Sequence, residues 1–175
     1  RDKLVTGVQT CALPIFATDY EGHKSEQELP CNVYRVDPSG SMQAVLTDFN
    51  CPNGLAFSPD ERKLYVADTG RMHGSDPQHI RVFNVSENWH LSGGEVFHVI
   101  SPGCADGMRL DTDGNLWSSA ADGVHCIAPD GHLMGKILVP ETVSNLCFGG
   151  RGKHKLFITG TTSVYAISLN REGAL

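Results

Sequence analysis

Apolar and polar residues alternate in short runs along most of the chain, and turn residues separate the runs. This pattern is typical of short β-strands joined by tight turns, and no run has the period or length that requires a helix. The predicted strands are two in the stretch 52–68 and the segments Asn32–Val36, Met42–Leu46, His79–Val85, Glu95–Ile100, Gly107–Leu110, Leu116–Ser119, Val124–Ala128, Leu133–Val139, Asn145–Phe148, Lys155–Thr159 and Val164–Leu169.

One part of this pattern returns along the chain. A polar residue and a glycine open it, and a short apolar run, a turn and a second apolar run follow. The copies begin at Asn53, at Asp106 and, more loosely, at Asn145, so the steps are 53 and 39 residues. Repeats of about 40–50 residues, each a few short strands, are the sequence sign of a β-propeller. The predicted fold is therefore all-β, an incomplete propeller of just over three blades with two, four, four and three strands.

The first fifteen residues do not continue this pattern. The string Val5–Ile15 resembles the conceptual translation of a common sequencing adapter. We therefore expect residues 1–15 to be a non-native segment and residues 16–175 to be the C-terminal part of a propeller domain that the chain enters mid-fold. The alternative is a genuine edge strand at Leu4–Gln9.

Composition limits the choice of partners. The chain has 40% hydrophobic and 19% charged residues and a net charge of −6, with no basic cluster. Nucleic acid and anionic membrane surfaces need patches of Lys and Arg, so neither is expected as a partner. No apolar run approaches the ~20 residues that span a bilayer.

Six cysteines occur without a C-x-x-C pair, which argues against a thiolate zinc site. Several of them lie in apolar strand runs, Cys126 and Cys147 in particular. We expect buried, reduced thiols, which favours a reducing compartment such as the cytoplasm.

The repeat places two oxygen-bearing side chains, those of Asn53 and Asp106, at equivalent points of neighbouring blades. The first strand of each propeller blade lines the axis, so the two side chains are expected to converge at one end of the channel. Amide and carboxylate oxygens suit hard divalent cations. Asn-Gly and Asp-Gly are also common turn dipeptides, and spacing alone favours that simpler interpretation. Asn145 is followed by Leu146 and is expected to be structural.

Five motifs resemble the gluconolactonase/regucalcin (senescence marker protein) family. They are Asp19–Gly22, Pro52–Asp60, Leu64–Gly70, Asp106–Trp117 and Val143–Gly150. The resemblance extends in order over essentially all of residues 16–169. It implies a six-bladed propeller with one divalent metal ion on its axis, and it implies hydrolysis of sugar lactones.

The resemblance also implies a ligand set of one Glu, two Asn and one Asp. Asn53 matches the Asn of the Pro-Asn-Gly motif, and Asp106 matches the Asp of the Asp-Gly-Met motif, although Ala105 stands where proline is usual. The Glu and the second Asn belong upstream of Phe16 and have no counterpart in the chain. The expected cofactor is Ca²⁺, with Mg²⁺, Mn²⁺ or Zn²⁺ as alternatives. Asp106 is also a candidate general base, and the chain alone is expected to be inactive.

Other residues offer weaker candidates. His23 follows the acidic segment after Phe16 and is a possible substrate contact at the channel rim. His98 and His125 lie in apolar strands and are expected to be half-buried and hydrogen-bonded. No Ser lies in a G-x-S-x-G motif, which argues against a serine hydrolase.

Two other functions remain open for the same fold. One is a non-catalytic propeller that binds a partner on its rim, and the other is an esterase or phosphotriesterase that uses the same metal site. Retention of oxygen ligands at Asn53 and Asp106 favours a metal-dependent lactonase, which takes a small sugar lactone as its partner.

Overall fold

The computed structural model describes residues 12–14, 30–37, 39–70 and 78–174. These residues form β-strands joined by turns, with a short 3-10 turn at Arg151–Lys153. No helix within them is both long and apolar enough to cross a membrane. The strands are β1 (Ala12–Pro14), β2 (Val33–Val36), β3 (Met42–Leu46), β4 (Pro52–Phe57), β5 (Lys63–Asp68), β6 (His79–Val85), β7 (Leu91–Val99), β8 (Met108–Leu110), β9 (Leu116–Ala120), β10 (Gly123–Ile127), β11 (Leu133–Leu138), β12 (Val143–Gly149), β13 (Lys155–Gly160) and β14 (Val164–Ser168).

The strands form four antiparallel sheets in which consecutive strands are neighbours. The sheets are β1-β2-β3, β4-β5-β6-β7, β8-β9-β10-β11 and β12-β13-β14. Strand β4 lies beside β8, and β8 lies beside β12. The first strands of successive sheets are therefore adjacent, as expected for the blades of an incomplete propeller.

Three apolar layers fill the spaces between the four sheets. Leu64 and Val66 of β5 belong to the layer with Val33 and Phe83, between the first and second sheets. Tyr65 of the same strand belongs to the next layer, which reaches the third sheet. Successive side chains of a strand point to opposite faces of the sheet. A central strand that is buried on both faces therefore has a continuous run of apolar residues in its sequence.

The same rule explains β9 in the third sheet. Leu116 and Ala120 face the second sheet, whereas Trp117 packs against Phe148 of the fourth sheet with the two ring centroids 5.9 Å apart. A blade inside the stack thus contributes to two apolar layers, and this double burial holds neighbouring blades together.

The predicted strands are found, with differences at their ends. The first sheet has a third strand, β1, which pairs with β2 so that Ala12 is opposite Arg35. This strand falls in the segment predicted to be non-native, and that assignment stays a prediction. Strand β7 begins at Leu91 and not at Glu95, because the backbone passes through Gly93 and Gly94 at positive φ.

The cysteines differ from the expectation of burial. Cys51 is buried and Cys126 is half-buried, but Cys147 is exposed. The expected burial is wrong for Cys147 because this residue lies on the face of β12 that points away from the third sheet, opposite Phe157 on β13.

Candidate active site

Asn53 lies at an interruption in the ladder between β4 and β5. Pro52 is opposite Asp68 and Leu55 is opposite Val66, so three steps along β4 match two steps along β5. The extra residue forms a bulge at Asn53-Gly54. Bulges direct side chains away from the regular pleat and occur often beside active sites.

Asp106 lies just before β8, at the same end of the sheets. Its main-chain N–H donates to the Ser119 hydroxyl, with an N to Oγ distance of 2.9 Å. Ser119 is completely buried, and its own N–H donates to the Gly107 carbonyl at 2.9 Å. Strand β9 therefore fixes the backbone on which the Asp106 carboxylate is carried.

Two glycines let the first strands of neighbouring blades come close together. A Cβ on Gly54 would lie 1.9 Å from the Asp106 carbonyl oxygen. A Cβ on Gly107 would lie 2.2 Å from the Asn145 side-chain oxygen and 2.8 Å from the Asn145 Cα. The glycine in the first two copies of the repeat is thus required by the approach of the next blade.

This approach brings Asn53 and Asp106 together. The Asn53 side-chain amide faces the Asp106 carboxylate. Burial raises the pKa of Asp106 above its ordinary value, and the polar interaction with the Asn53 side chain opposes that rise in part. The site therefore contains a half-buried carboxyl group that holds its proton more tightly than an exposed Asp does. A nearby positive charge would stabilise the ionised form of this group.

The other sequence candidates lie outside this pair. The Asn145 side-chain oxygen accepts a hydrogen bond from the Leu146 N–H at 2.8 Å, which is a local structural role. His23 lies outside the described residues. His98 is half-buried, and its Nδ1 lies 2.8 Å from the Gly131 carbonyl oxygen. His125 is more deeply buried than expected: its Nε2 lies 2.7 Å from Asp122, and its Nδ1 has no hydrogen-bond partner.

The donors at the site fit part of a hard-cation site. Asn53 and Asp106 supply amide and carboxylate oxygens, which are the ligands that Ca²⁺ and Mg²⁺ prefer. In the described part of the chain, no three His, Cys, Asp or Glu side chains are grouped closely enough to hold a metal ion. A complete coordination shell thus requires further oxygen ligands beside this pair.

Sequence reasoning missed the residues that support the pair. Asp68 ends β5 and Ser119 is the next-to-last residue of β9, and both are buried polar residues in strands that are buried at these positions. That position was the available signal, since a polar side chain inside a buried run must find a hydrogen-bond partner.

Comparisons with known proteins agree with this fold. The family model described as SMP-30/Gluconolactonase/LRE-like region matches residues 14–162. A gluconolactonase of Zymomonas mobilis is 35% identical over 151 residues, which cover 81% of this chain and 41% of the relative. A pentonolactonase of Haloferax volcanii is 30% identical over 133 residues, covering 73% of this chain and 44% of the relative.

Solved structures give the same result. A protein described as a putative gluconolactonase superposes with a TM-score of 0.77 at 38% identity, covering 87% of this chain and 51% of that one. A gluconolactonase from Xanthomonas campestris superposes with a TM-score of 0.74 at 39% identity, covering 83% and 47%. The chain spans about half the length of these relatives. With its blades, its repeat and the match over residues 14–162, the chain belongs to the SMP-30/gluconolactonase/LRE-like family.

Proposed function

We propose that the full-length protein hydrolyses a sugar lactone at a divalent metal ion held in part by Asn53 and Asp106. The observation that carries the proposal is the close approach of the Asn53-Gly54 and Asp106-Gly107 segments on neighbouring first strands, which brings the Asn53 amide to the Asp106 carboxylate. Relatives of this family named gluconolactonase and pentonolactonase support the reaction type. Ca²⁺ is the first choice of metal because both donors are oxygens, and Mg²⁺, Mn²⁺ or Zn²⁺ are the alternatives.

Asp106 has the properties of a group that moves a proton. Without a metal ion, its raised pKa makes its carboxylate a better proton acceptor than an ordinary exposed Asp, and a bound cation would oppose that rise. When water attacks the lactone carbonyl carbon, the carboxylate accepts a proton from that water and returns it to the ring oxygen as the ring carbon–oxygen bond breaks, which gives a hydroxy acid. A bound divalent cation would supply Lewis-acid polarisation of the carbonyl and would acidify a bound water.

Asn53 orients this carboxylate. Its amide N–H holds one face of the Asp106 side chain, and its carbonyl oxygen is left as a neutral ligand. Because the chain carries two of the four ligands implied by the resemblance, it is expected to be inactive when isolated.

The buried and half-buried thiols Cys51 and Cys126 support a reducing compartment such as the cytoplasm.

The test is hydrolysis of gluconolactone by the full-length protein across a calcium titration, corrected for spontaneous ring opening. Losing residues that merely orient metal ligands costs about 10–100-fold in metal affinity or activity. Asp106→Ala, which removes both a charged ligand and the proton acceptor, is therefore expected to cost about 100-fold or more. Asn53→Ala removes a neutral oxygen, so its smaller loss is expected to be partly restored by excess calcium.

Asp113→Ala is the control. Asp113 lies in the turn after β8, at the opposite end of that strand from Asp106, and its exposed carboxylate pairs with Arg171. An exposed pair of this kind contributes about 0–1 kcal/mol to stability, so catalysis should not change. If Asp106→Ala hydrolyses lactone like the parent at limiting calcium, the site assignment is wrong. If the parent itself shows no hydrolysis above the spontaneous rate, a non-catalytic binding propeller is favoured.

A further inference from the structure

The segment leading to Asn53 is held from the neighbouring strand by a buried carboxylate. Asp68, at the end of β5, has 2% of its surface exposed. Its Oδ2 accepts the N–H of Asn50 at 2.9 Å, and its Oδ1 accepts the N–H of Cys51 at 2.9 Å. Oδ1 also accepts the N–H of Gly70 at 3.2 Å. Hydrogen bonds to an ionised carboxylate are roughly twice as strong as those between neutral groups.

The next residue completes the contact from the other side. The Thr69 N–H donates to the Cys51 carbonyl oxygen at 2.9 Å, and the Thr69 hydroxyl donates to the same oxygen at 3.2 Å. Thr69 is also buried, with 1% of its surface exposed. Both main-chain polar groups of Cys51 are therefore held by Asp68 and Thr69.

This attachment lies immediately before the bulge. Pro52, the first residue of β4, pairs with Asp68 of β5, and the ladder is interrupted directly after this pair. The ladder resumes at Leu55, so Asn53 and Gly54 have no partner residue in the β4–β5 register. The orientation of the Asn53 side chain thus depends on two contacts. Gly54 packs against the Asp106 backbone on one side, and Asp68 binds the backbone of residues 50 and 51 on the other.

We propose that Asp68 and Thr69 are positioning residues that hold segment 50–52 so that the Asn53 side chain reaches Asp106. The inference rests on the proposed function in so far as Asn53 is taken to be a metal ligand. Asp68 and Thr69 are buried and act through the backbone of Cys51, not as metal ligands or substrate contacts.

A second buried carboxylate provides a matched control. Asp111, which is fully buried, accepts the N–H of Asn115 at 2.9 Å and the indole N–H of Trp117 at 3.0 Å. It therefore does the same structural work as Asp68. It lies at the far end of β8 from Asp106 and makes none of the described contacts with segment 50–53.

The first experiment compares Asp68→Asn with Asp111→Asn by amide hydrogen exchange in the metal-free full-length protein. Asparagine keeps the shape of each side chain but turns one acceptor oxygen into a donor that faces an N–H group. After correction for the change in global stability, Asp68→Asn is expected to speed exchange about tenfold or more in a peptide covering 50–55, while Asp111→Asn speeds it near 111–117. Equal protection of 50–55 in the two variants would overturn the proposal.

The second experiment measures calcium binding by calorimetry in the full-length protein. Asp68→Asn is expected to weaken binding by about 10–100-fold, as for other residues that orient metal ligands. Thr69→Val, which removes only the hydroxyl contact and preserves shape, is expected to give a smaller loss and serves if Asp68→Asn does not fold. Parent-like calcium affinity in a folded Asp68→Asn variant would refute the positioning role. If the parent itself binds no calcium, the proposed metal function fails, and hydrogen exchange alone decides the inference.

Discussion

Gly54→Ala tests whether the close approach of two blades creates the site. The added Cβ would lie 1.9 Å from the Asp106 carbonyl oxygen, and Cβ atoms essentially never come within 3.0 Å of a non-bonded atom. Because that oxygen belongs to the backbone, no side-chain rotation relieves the overlap. Strands β4 and β8 must separate by about 1 Å or more.

The expected cost has two parts. Forcing an added group into a packed region destabilises a protein by about 1–3 kcal/mol, which is the expected loss of unfolding free energy for Gly54→Ala. A misplacement of about 1 Å between catalytic groups costs about 10²-fold in rate, which is the expected loss of lactone hydrolysis in the full-length protein. The two losses should appear together because the same displacement causes both.

Gly135→Ala is the matched control. Gly135 lies on β11 with no neighbouring atom within 4 Å of an added Cβ, so alanine there is expected to be neutral or to stabilise by up to about 0.5–1 kcal/mol. Unfolding by denaturant measures both variants, and the hydrolysis assay is run on the same samples. If Gly54→Ala matches Gly135→Ala in both measurements, β4 and β8 do not approach as the structure has them.

Two further predictions follow from the electrostatics and exposure of single residues. Because burial raises the pKa of Asp106, the folded state holds this proton more tightly than the unfolded state, so the stability contributed by Asp106 falls as pH rises from the ordinary Asp pKa through the raised one. Metal-free Asp106→Asn is therefore expected to be more stable than the parent at neutral pH, and this difference in stability should vanish in acid. Thermal melts of both proteins over a range of pH, with a chelator present, measure the difference. A difference that is the same at all pH values would contradict the prediction. Burial also raises the pKa of Cys126 to about 11, whereas Cys147 is exposed. A thiol alkylating reagent is therefore expected to modify Cys147 before Cys126 in the folded protein, as measured by mass spectrometry. The reverse order would mean that β12 turns its other face to the third sheet.

The differences between the predicted and observed strands have local physical causes. Strand β7 begins earlier than predicted because Gly93 and Gly94 stay within the ladder at positive φ, and the register with β6 shifts beside them. A run containing two glycines is typical of a turn, so the pattern alone placed the strand start after them. Cys147 shows the limit of periodicity, since an apolar strand has two faces and only the packing of the sheets decides which one is covered.

The amino-acid pattern was enough to predict the strands from β2 onward, their order and the blade repeat, and the family resemblance pointed to Asn53 and Asp106. These predictions rest on local features of the sequence, namely the alternation of apolar and polar residues, the turn residues and the repeated Asn-Gly and Asp-Gly dipeptides. Each feature can be recognised without knowing what packs against it. Only the packed structure shows that Gly54 meets the Asp106 backbone, that the Asn53 amide faces the Asp106 carboxylate, and that Asp68 and Ser119 hold the two segments in place. These contacts join residues of different strands and blades, and they depend on the stacking of sheets through shared apolar layers, which no local pattern specifies.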